Sequence, residues 1–445
     1  MIGNVLLGLL ALLAAWVAAG SFLRERNPTW YWLAVGYPVT VVRMYWHWRA
    51  LCMQRGLTGP AGANRLLFGG YSVQAQAVRP PIPRLIVGRA TRDGLTARVL
   101  MLAGQEPKEF AACAGAMEQI WRVHTVRVSK PQRRWVQLRL YHSDPIPGVV
   151  VRDDSVPPPR PDPSQRPTKE MRLAPVVGIR ETGVAWVLDF RRSPHLMVVG
   201  ITLSGKSTFL HAVVVALAPL PVALVGIDLK GGLELSVYGP RLSGLATDKK
   251  EAADLLEDLL TVTQERMADC RAARVQNVWS LPVVPVPVFV FVDEVAELYL
   301  QSSRDDKPLR DRCASALLRL AQIGASLGVH LVVSGQRIGS DLGPGVTALR
   351  AQLGGRVCHR VADAETAEMT LGDIAPEAVT VALQLTAGHQ GFAVATDDAG
   401  GWSRVRSVLT TAEEASAAAA RYTALTPNLP GITRPDYTRG DLSWS

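Results

Sequence analysis

Residues 195–217 read HLMVVGITLSGKSTFLHAVVVAL, and this stretch decides the fold. Residues 195–199 have the composition of a short strand covered on both faces, and FLHAVVVAL that of a buried helix. Between them, Gly200 to Thr208 satisfies the pattern G-x-x-x-x-G-K-S/T. A loop placed between strand and helix in this way is a phosphate cradle. Gly200 and Gly205 allow the backbone N–H groups to curl around an anion, and the helix N-terminus adds its positive end. The expected nucleotide-binding set is Gly200, Ile201, Thr202, Leu203, Ser204, Gly205, Lys206, Ser207 and Thr208. Within it Lys206 reaches the β and γ phosphates and Ser207 binds Mg²⁺, so ATP and Mg²⁺ are the expected cofactors.

Working outward, VFVFVDE at 288–294 is an apolar strand ending in two carboxylates. Alone it would be an ordinary strand terminus. Downstream of a phosphate loop it has the form of a Walker B element, in which Asp293 holds the metal and Glu294 is the general base that polarises the attacking water. LVVSGQR at 331–337 is a further strand whose end places the Gln336 amide where it can sense the γ-phosphate. Apolar runs alternate with helical stretches from about residue 172 to 410: LMVVG, VALVGID, VFVFVD, VHLVVSG, RVCHRV and GFAVA. That alternation predicts an α/β core, a parallel sheet with helices on both faces.

The remainder of the chain is organised around this core. Residues 2–23 form an apolar run without a charge until Arg24, long enough to cross a hydrocarbon layer of about 30 Å. No basic region precedes the run, so a retained anchor is expected and not a cleaved leader. A second stretch, 28–48, is apolar but rich in Trp and Tyr and broken by Pro38 and Arg43; it reads as a second span or as an interfacial belt. Residues 1–55 are thus a membrane anchor of one or two spans, with the ATPase on the cytoplasmic side of the cell membrane. Residues 56–150 carry the order strand, strand, helix, strand, strand of a small α+β domain. Residues 151–171 are a Pro-rich linker, 172–410 the motor, and 411–445 a short helix and tail. The net charge of +9 suits a polyanionic partner or an anionic membrane face. The five cysteines are scattered without C-x-x-C pairing, which argues against a disulfide framework or a zinc site.

IDLKGGLELSVY at 227–238 resembles the segment after the second core strand in FtsK/SpoIIIE DNA translocases. The resemblance continues through TDKKEAADLL (247–256), VDEVAEL (292–298) and GVHLVVSGQR (328–337). The stretch 340–361 is similar to the FtsK-like transfer proteins of actinobacterial conjugative elements. The resemblance implies a RecA-like P-loop NTPase core, assembled as a homo-hexamer around double-stranded DNA, which ATP hydrolysis drives through the ring. It also implies an arginine supplied in trans to the γ-phosphate, for which Arg337, Arg350 and Arg356 are candidates and Arg356 matches the family pattern. Ile323-Gly324-Ala325 departs from relatives that carry Arg after this Gly. The chain closes soon after its last core strand, so the winged-helix domain of cell-division members is not expected. Conjugative transfer or DNA segregation is the implied role. The alternative is an ATPase energising protein secretion, as in type VII systems.

Overall fold

The computed structural model describes residues 26–59, 79–146, 148–152, 158–301, 306–373, 376–396 and 401–433. The chain falls into two compact units, Met1–Pro145 and Ile146–Ser445. The apolar run 2–23 lies outside the described residues.

In the first unit a short helix at Pro28–Tyr31 and a π turn at Trp32–Gly36 lead into α1 (Tyr37–Gln54). Strands β1 (Arg84–Ala90) and β2 (Gly94–Leu100) follow, then α2 (Pro107–Ala112), α3 (Ala114–Trp121), β3 (Thr125–Gln132) and β4 (Trp135–Tyr141). The strands form an antiparallel sheet in the order β1-β2-β4-β3. The helices cover one face of it, where Leu95, Ala97, Val99, Val136, Leu138 and Leu140 meet Trp48, Phe110, Met117 and Trp121.

This arrangement corrects the reading of the second apolar stretch. Residues 28–54 are not a membrane span but part of the small unit. Met44, Trp48, Leu51 and Cys52 lie on one stripe of α1 and are buried in its core. Trp48 packs beside Trp121 at 6.2 Å and donates its indole N–H to Pro83 O at 2.7 Å. Composition does not separate the tryptophans of this stretch, whereas the structure buries Trp32 and Trp48 in the unit and leaves Trp30 and Trp46 exposed, so the span reading is corrected and the interfacial one is not. Among the described residues no helix is long and apolar enough to cross a membrane.

The second unit is built on ten strands. β5 (Val176–Arg180) and β6 (Ala185–Val187) precede β7 (His195–Val199), which leads into α4 (Lys206–Leu217). Then come β8 (Ala223–Ile227), β9 (Leu242–Ala246), α5 (Lys249–Ala272), β10 (Val288–Val292), α6 (Val295–Tyr299), α7 (Asp306–Ile323) and β11 (Val329–Gly335). The unit closes with α8 (Val346–Gln352), β12 (Gly355–Cys358), α9 (Pro376–Leu383), β13 (Phe392–Thr396), β14 (Trp402–Ser407) and α10 (Ala412–Arg421). The sheet order is β6-β5-β14-β13-β12-β7-β11-β10-β8-β9.

From β12 to β9 every neighbouring pair is parallel, as expected. From β12 to β6 every pair is antiparallel, so the sheet is mixed and the wholly parallel expectation is corrected. The run GFAVA, β13, pairs antiparallel to β12 and then turns back on itself in a β13–β14 hairpin. Its periodicity is that of any covered strand and carries no direction.

The central strands are buried on both faces, which is why they read as unbroken apolar runs. One face packs Leu196, Val198, Phe289, Phe291 and Val332 against Phe209, Val213 and Leu217 of α4. The other packs Met197, Val199, Val290, Val292 and Val333 against Leu256 and Leu259 of α5 and Leu317 and Leu320 of α7.

Four histidines, His195, His211, His330 and His359, are buried in this unit, and burial lowers the pKa of each. Burial draws His195 down to about 4, His330 to about 3 and His359 to about 4. His195 Nδ1 accepts Leu331 N–H at 3.2 Å, a bond that protonation would break. The unfolded chain takes up these protons below about pH 6.5 and the folded chain does not until near pH 4, so stability is lost as pH falls through that window. The expected loss is on the order of 2 kcal/mol for each of His195, His330 and His359 at pH 5. Calorimetric Tm between pH 7.5 and 5 measures it. His330→Phe, in a pocket of Phe190, Phe289 and Trp279, should make the decline shallower.

Candidate nucleotide site

The register of four strands builds the site. β11 lies between β7 and β10, and β8 lies on the far side of β10, so the C-terminal tips of all four end side by side. Crevices at such tips are where open α/β sheets hold ligands.

The phosphate loop leaves β7 under close constraint. A side chain at Gly200 would stand 2.5 Å from Ser204 Oγ and 2.7 Å from His359 Cβ. Gly205 begins α4 with φ 103°, and a methyl there would collide with the backbone of Gly391. The loop is tied to its surroundings by Gly200 N–H to Gly335 O at 3.1 Å and Ile201 N–H to Arg360 O at 3.0 Å. Gly391 N–H donates to Ser204 O at 3.1 Å. Leu203 at the crest has φ 60° and is 73% exposed. Backbone strain in a non-glycine residue is concentrated at this crest.

Facing the loop, Asp293 and Glu294 follow β10, both buried. Lys206 Nζ lies 3.4 Å from Asp293 O and 3.7 Å from Glu294 Oε2. Glu294 Oε1 accepts the Gln336 N–H at 3.3 Å, whereas its Oε2 has no hydrogen-bond partner among the described residues. Burial pushes the Glu294 carboxyl up from its ordinary value, with Lys206 pulling the other way. Gly335 keeps this corner open, since a methyl there would stand 2.8 Å from Glu294 Oε1. Ser334 Oγ donates to Val292 O at 2.8 Å and so binds the β10 tip to β11.

The structure therefore brings together the loop 200–208, Lys206, Ser207, Asp293, Glu294 and Gln336, with Gln336 exposed at the cleft. Arg356 is placed elsewhere. It is buried in β12, and its guanidinium donates to Arg350 O at 2.9 Å and Thr370 O at 3.2 Å. Arg337 is held by Glu365 at 2.9 Å and by Asp341 at 3.5 Å. Arg350 reaches Ile338 O at 3.5 Å.

Several lining residues escape a reading of the sequence. Lys230 Nζ sits 3.2 Å from Asp293 Oδ2. Burial works against its charge, but the attraction of Asp293 outweighs it and the pKa is raised. Asp228 fixes this lysine's loop by accepting the N–H groups of Lys230, Glu234 and Leu235. The pair Asp228 and Lys230 at the tip of an apolar strand was the available signal. The outer wall, Gln390, Gly391, Arg406, Ser407 and Leu409 with Val149 and Val150, comes from distant segments and gave none. Leu409 N–H donates to Val150 O at 2.7 Å, closing a cleft of about 550 Å³.

Strand, cradle, helix and paired carboxylates define a P-loop ATPase. The comparisons agree. Residues 17–142 match the model of the actinomycete conjugal transfer protein N-terminal domain, and 160–284 and 279–340 match the FtsK/SpoIIIE family. Transfer protein TraSA of Streptomyces ambofaciens is 37% identical over 391 residues, covering 85% of this chain and 91% of that protein. DNA translocase FtsK of Campylobacter jejuni is 30% identical over 194 residues, 40% of this chain but only 20% of that protein. Among solved structures, the pCW3 conjugation coupling protein TcpA in monomer form with ATPγS has TM-score 0.53 at 18% identity, covering 81% of this chain and 93% of that one. This last likeness speaks for the fold. The chain belongs to the FtsK/SpoIIIE family, among its actinomycete conjugal transfer proteins.

Gly205→Ala tests the cradle. An L side chain at this φ costs roughly 1–3 kcal/mol, and the clash with Gly391 displaces the loop. Nucleotide affinity, followed with a fluorescent ATP analogue, should fall by at least about tenfold.

Proposed function

We propose that this chain is a membrane-anchored, ATP-driven translocase that pumps double-stranded DNA during conjugative transfer. The observation that carries the reading is an assembled ATPase site in a chain that aligns over most of its length with a conjugal transfer protein. The anchor in this proposal is the apolar run 2–23, with the ATPase on the cytoplasmic side.

The geometry supports the following roles. Lys206 and the N–H groups of Thr202, Leu203 and Gly205 hold the phosphates, and Gln336, bonded through its own N–H to Glu294, faces the γ end. Ser207 and Asp293 would hold magnesium, which spreads the phosphate charge. They supply only two protein ligands, as suits an ion shared with phosphate oxygens and water. Lys206 and Lys230 bracket the two carboxylates, so the site's buried charges are paired before nucleotide enters. Glu294 Oε2, with no hydrogen bond among the described residues, is the atom left to take a proton from the attacking water.

The reading includes a homo-hexameric ring in which a neighbour supplies a cation to the γ-phosphate. Arg337 suits that part better than Arg356. It leaves β11 beside Gln336 and would surrender only exposed ion pairs, whereas Arg356 would abandon two buried carbonyls.

Lys206→Ala should abolish nucleotide binding, whereas Glu294→Gln should bind ATP and turn over at least about a hundredfold more slowly. Because burial raises the Glu294 carboxyl, the wild-type rate should fall on acidification at a pH above the ordinary carboxylate range. The ATPase rate with and without duplex DNA, across a salt titration, tests the substrate. Stimulation that fades with salt is expected. Indifference to nucleic acid would favour a protein-secretion ATPase.

A further inference from the structure

The face of the four-stranded sheet turned away from the helices carries a line of arginines. β2 pairs Leu100 with Arg84 of β1, Arg98 with Gln137 of β4, and Thr96 with Arg139. β4 in turn pairs Arg139 with Arg127 of β3. Residues two apart on a strand share a face, so Arg84, Arg98, Arg139 and Arg127 stand on the same surface, one on each strand. Arg84, Arg98 and Arg139 run diagonally, with neighbours about 7–8 Å apart, and Arg127 lies directly opposite Arg139.

Arg84 and Arg98 are exposed and Arg139 is partly so, and none of these three has an ion-pair partner among the described residues. Between Arg79 and Pro145 twelve Lys and Arg face five Asp and Glu. All five acids lie off this surface. Glu106, Glu109 and Glu118 are on or beside the helices, and Asp93 and Asp144 are in turns. Like charges directly opposite one another, as Arg139 and Arg127 are, cost a sheet stability.

We infer that this face is a contact for the sugar-phosphate backbone of duplex DNA, a second binding surface outside the ATPase unit. A single small anion would call for guanidiniums converging on a point, whereas a diagonal line matches a repeating polyanion. Thr96, Gln137 and Ser129 on this face are hydrogen-bonding groups of the kind that contact phosphates without reading sequence, and the apolar Ile86, Leu100 and Trp135 share the face with them. The inference rests on the DNA reading of the previous subsection.

The test uses the full chain in detergent and a labelled random-sequence duplex, with anisotropy followed through a KCl titration. Replacing Arg84, Arg98 and Arg139 together by Gln should weaken binding by at least about tenfold. It should also reduce the slope of log K against log salt by roughly 0.9 for each lost phosphate contact. ATPase activity without DNA should be unchanged, which reports folding, and the triple Lys variant should keep the slope. Three results would overturn the inference. Wild-type protein that does not bind duplex brings down the DNA reading and this one with it. Wild-type protein that binds, alongside a Gln variant of unchanged affinity and slope, removes this face alone. A Gln variant that keeps duplex binding but loses phosphatidylglycerol vesicles makes the face a lipid contact.

Discussion

Two lysines and two carboxylates share a small, largely buried volume at the tips of β8, β10 and the phosphate loop. Lys206 lies between Asp293 O and Glu294, and Lys230 is paired with Asp293. Ionised groups withdrawn from water are tolerated only when paired and hydrogen-bonded. That requirement dictates the surroundings. β10 must end level with β8 and β11, Asp228 must hold the loop that carries Lys230, and Gly335 must stay small enough to leave Glu294 its place. The apolar strands beneath are the rigid support that keeps these charges in register.

The same logic separates the arginines. Arg266 is enclosed in the core, donating to Leu327 O and Val286 O, and burial lowers it to about 10, still charged at neutral pH. Arg356 is spent in a similar way on two carbonyls. Such residues are structural cations whose charge the backbone dipoles neutralise. Arg84, Arg98 and Arg139 sit on a sheet face with no such neutralisation among the described residues, and Arg337 is held only by exposed carboxylates. Position relative to water, more than residue type, sorts an arginine into support or contact.

What could be read from the sequence was local. Gly200 to Thr208 and Asp293-Glu294 were legible because each motif and the strand before it are contiguous, and buried parallel strands announce themselves as apolar runs. Lys230 was within reach, in a quoted segment, but its partner Asp293 is brought near only by the pairing of β8 with β10. Val150 and Leu409 meet through one backbone hydrogen bond between distant segments, and Ser407 N–H donates to Gly391 O, contacts that leave no periodic trace. The direction of β13 and the role of Trp48 failed for a related reason. Burial sets the composition, and composition does not say whether the cover is lipid, helix or another strand.

Gly205 and Gly391 form one contact from opposite ends of the ATPase sequence. Each has a positive φ, and the backbone of one occupies the space where a side chain on the other would grow. The constraint is one-sided, because a side chain on Gly391 would meet nothing within 4 Å and is opposed only by its positive φ. Drift at Gly205 is therefore blocked by a residue far away in the sequence, and a descendant chain that lost this glycine would have to re-route the loop after α9 before it could hold phosphate again.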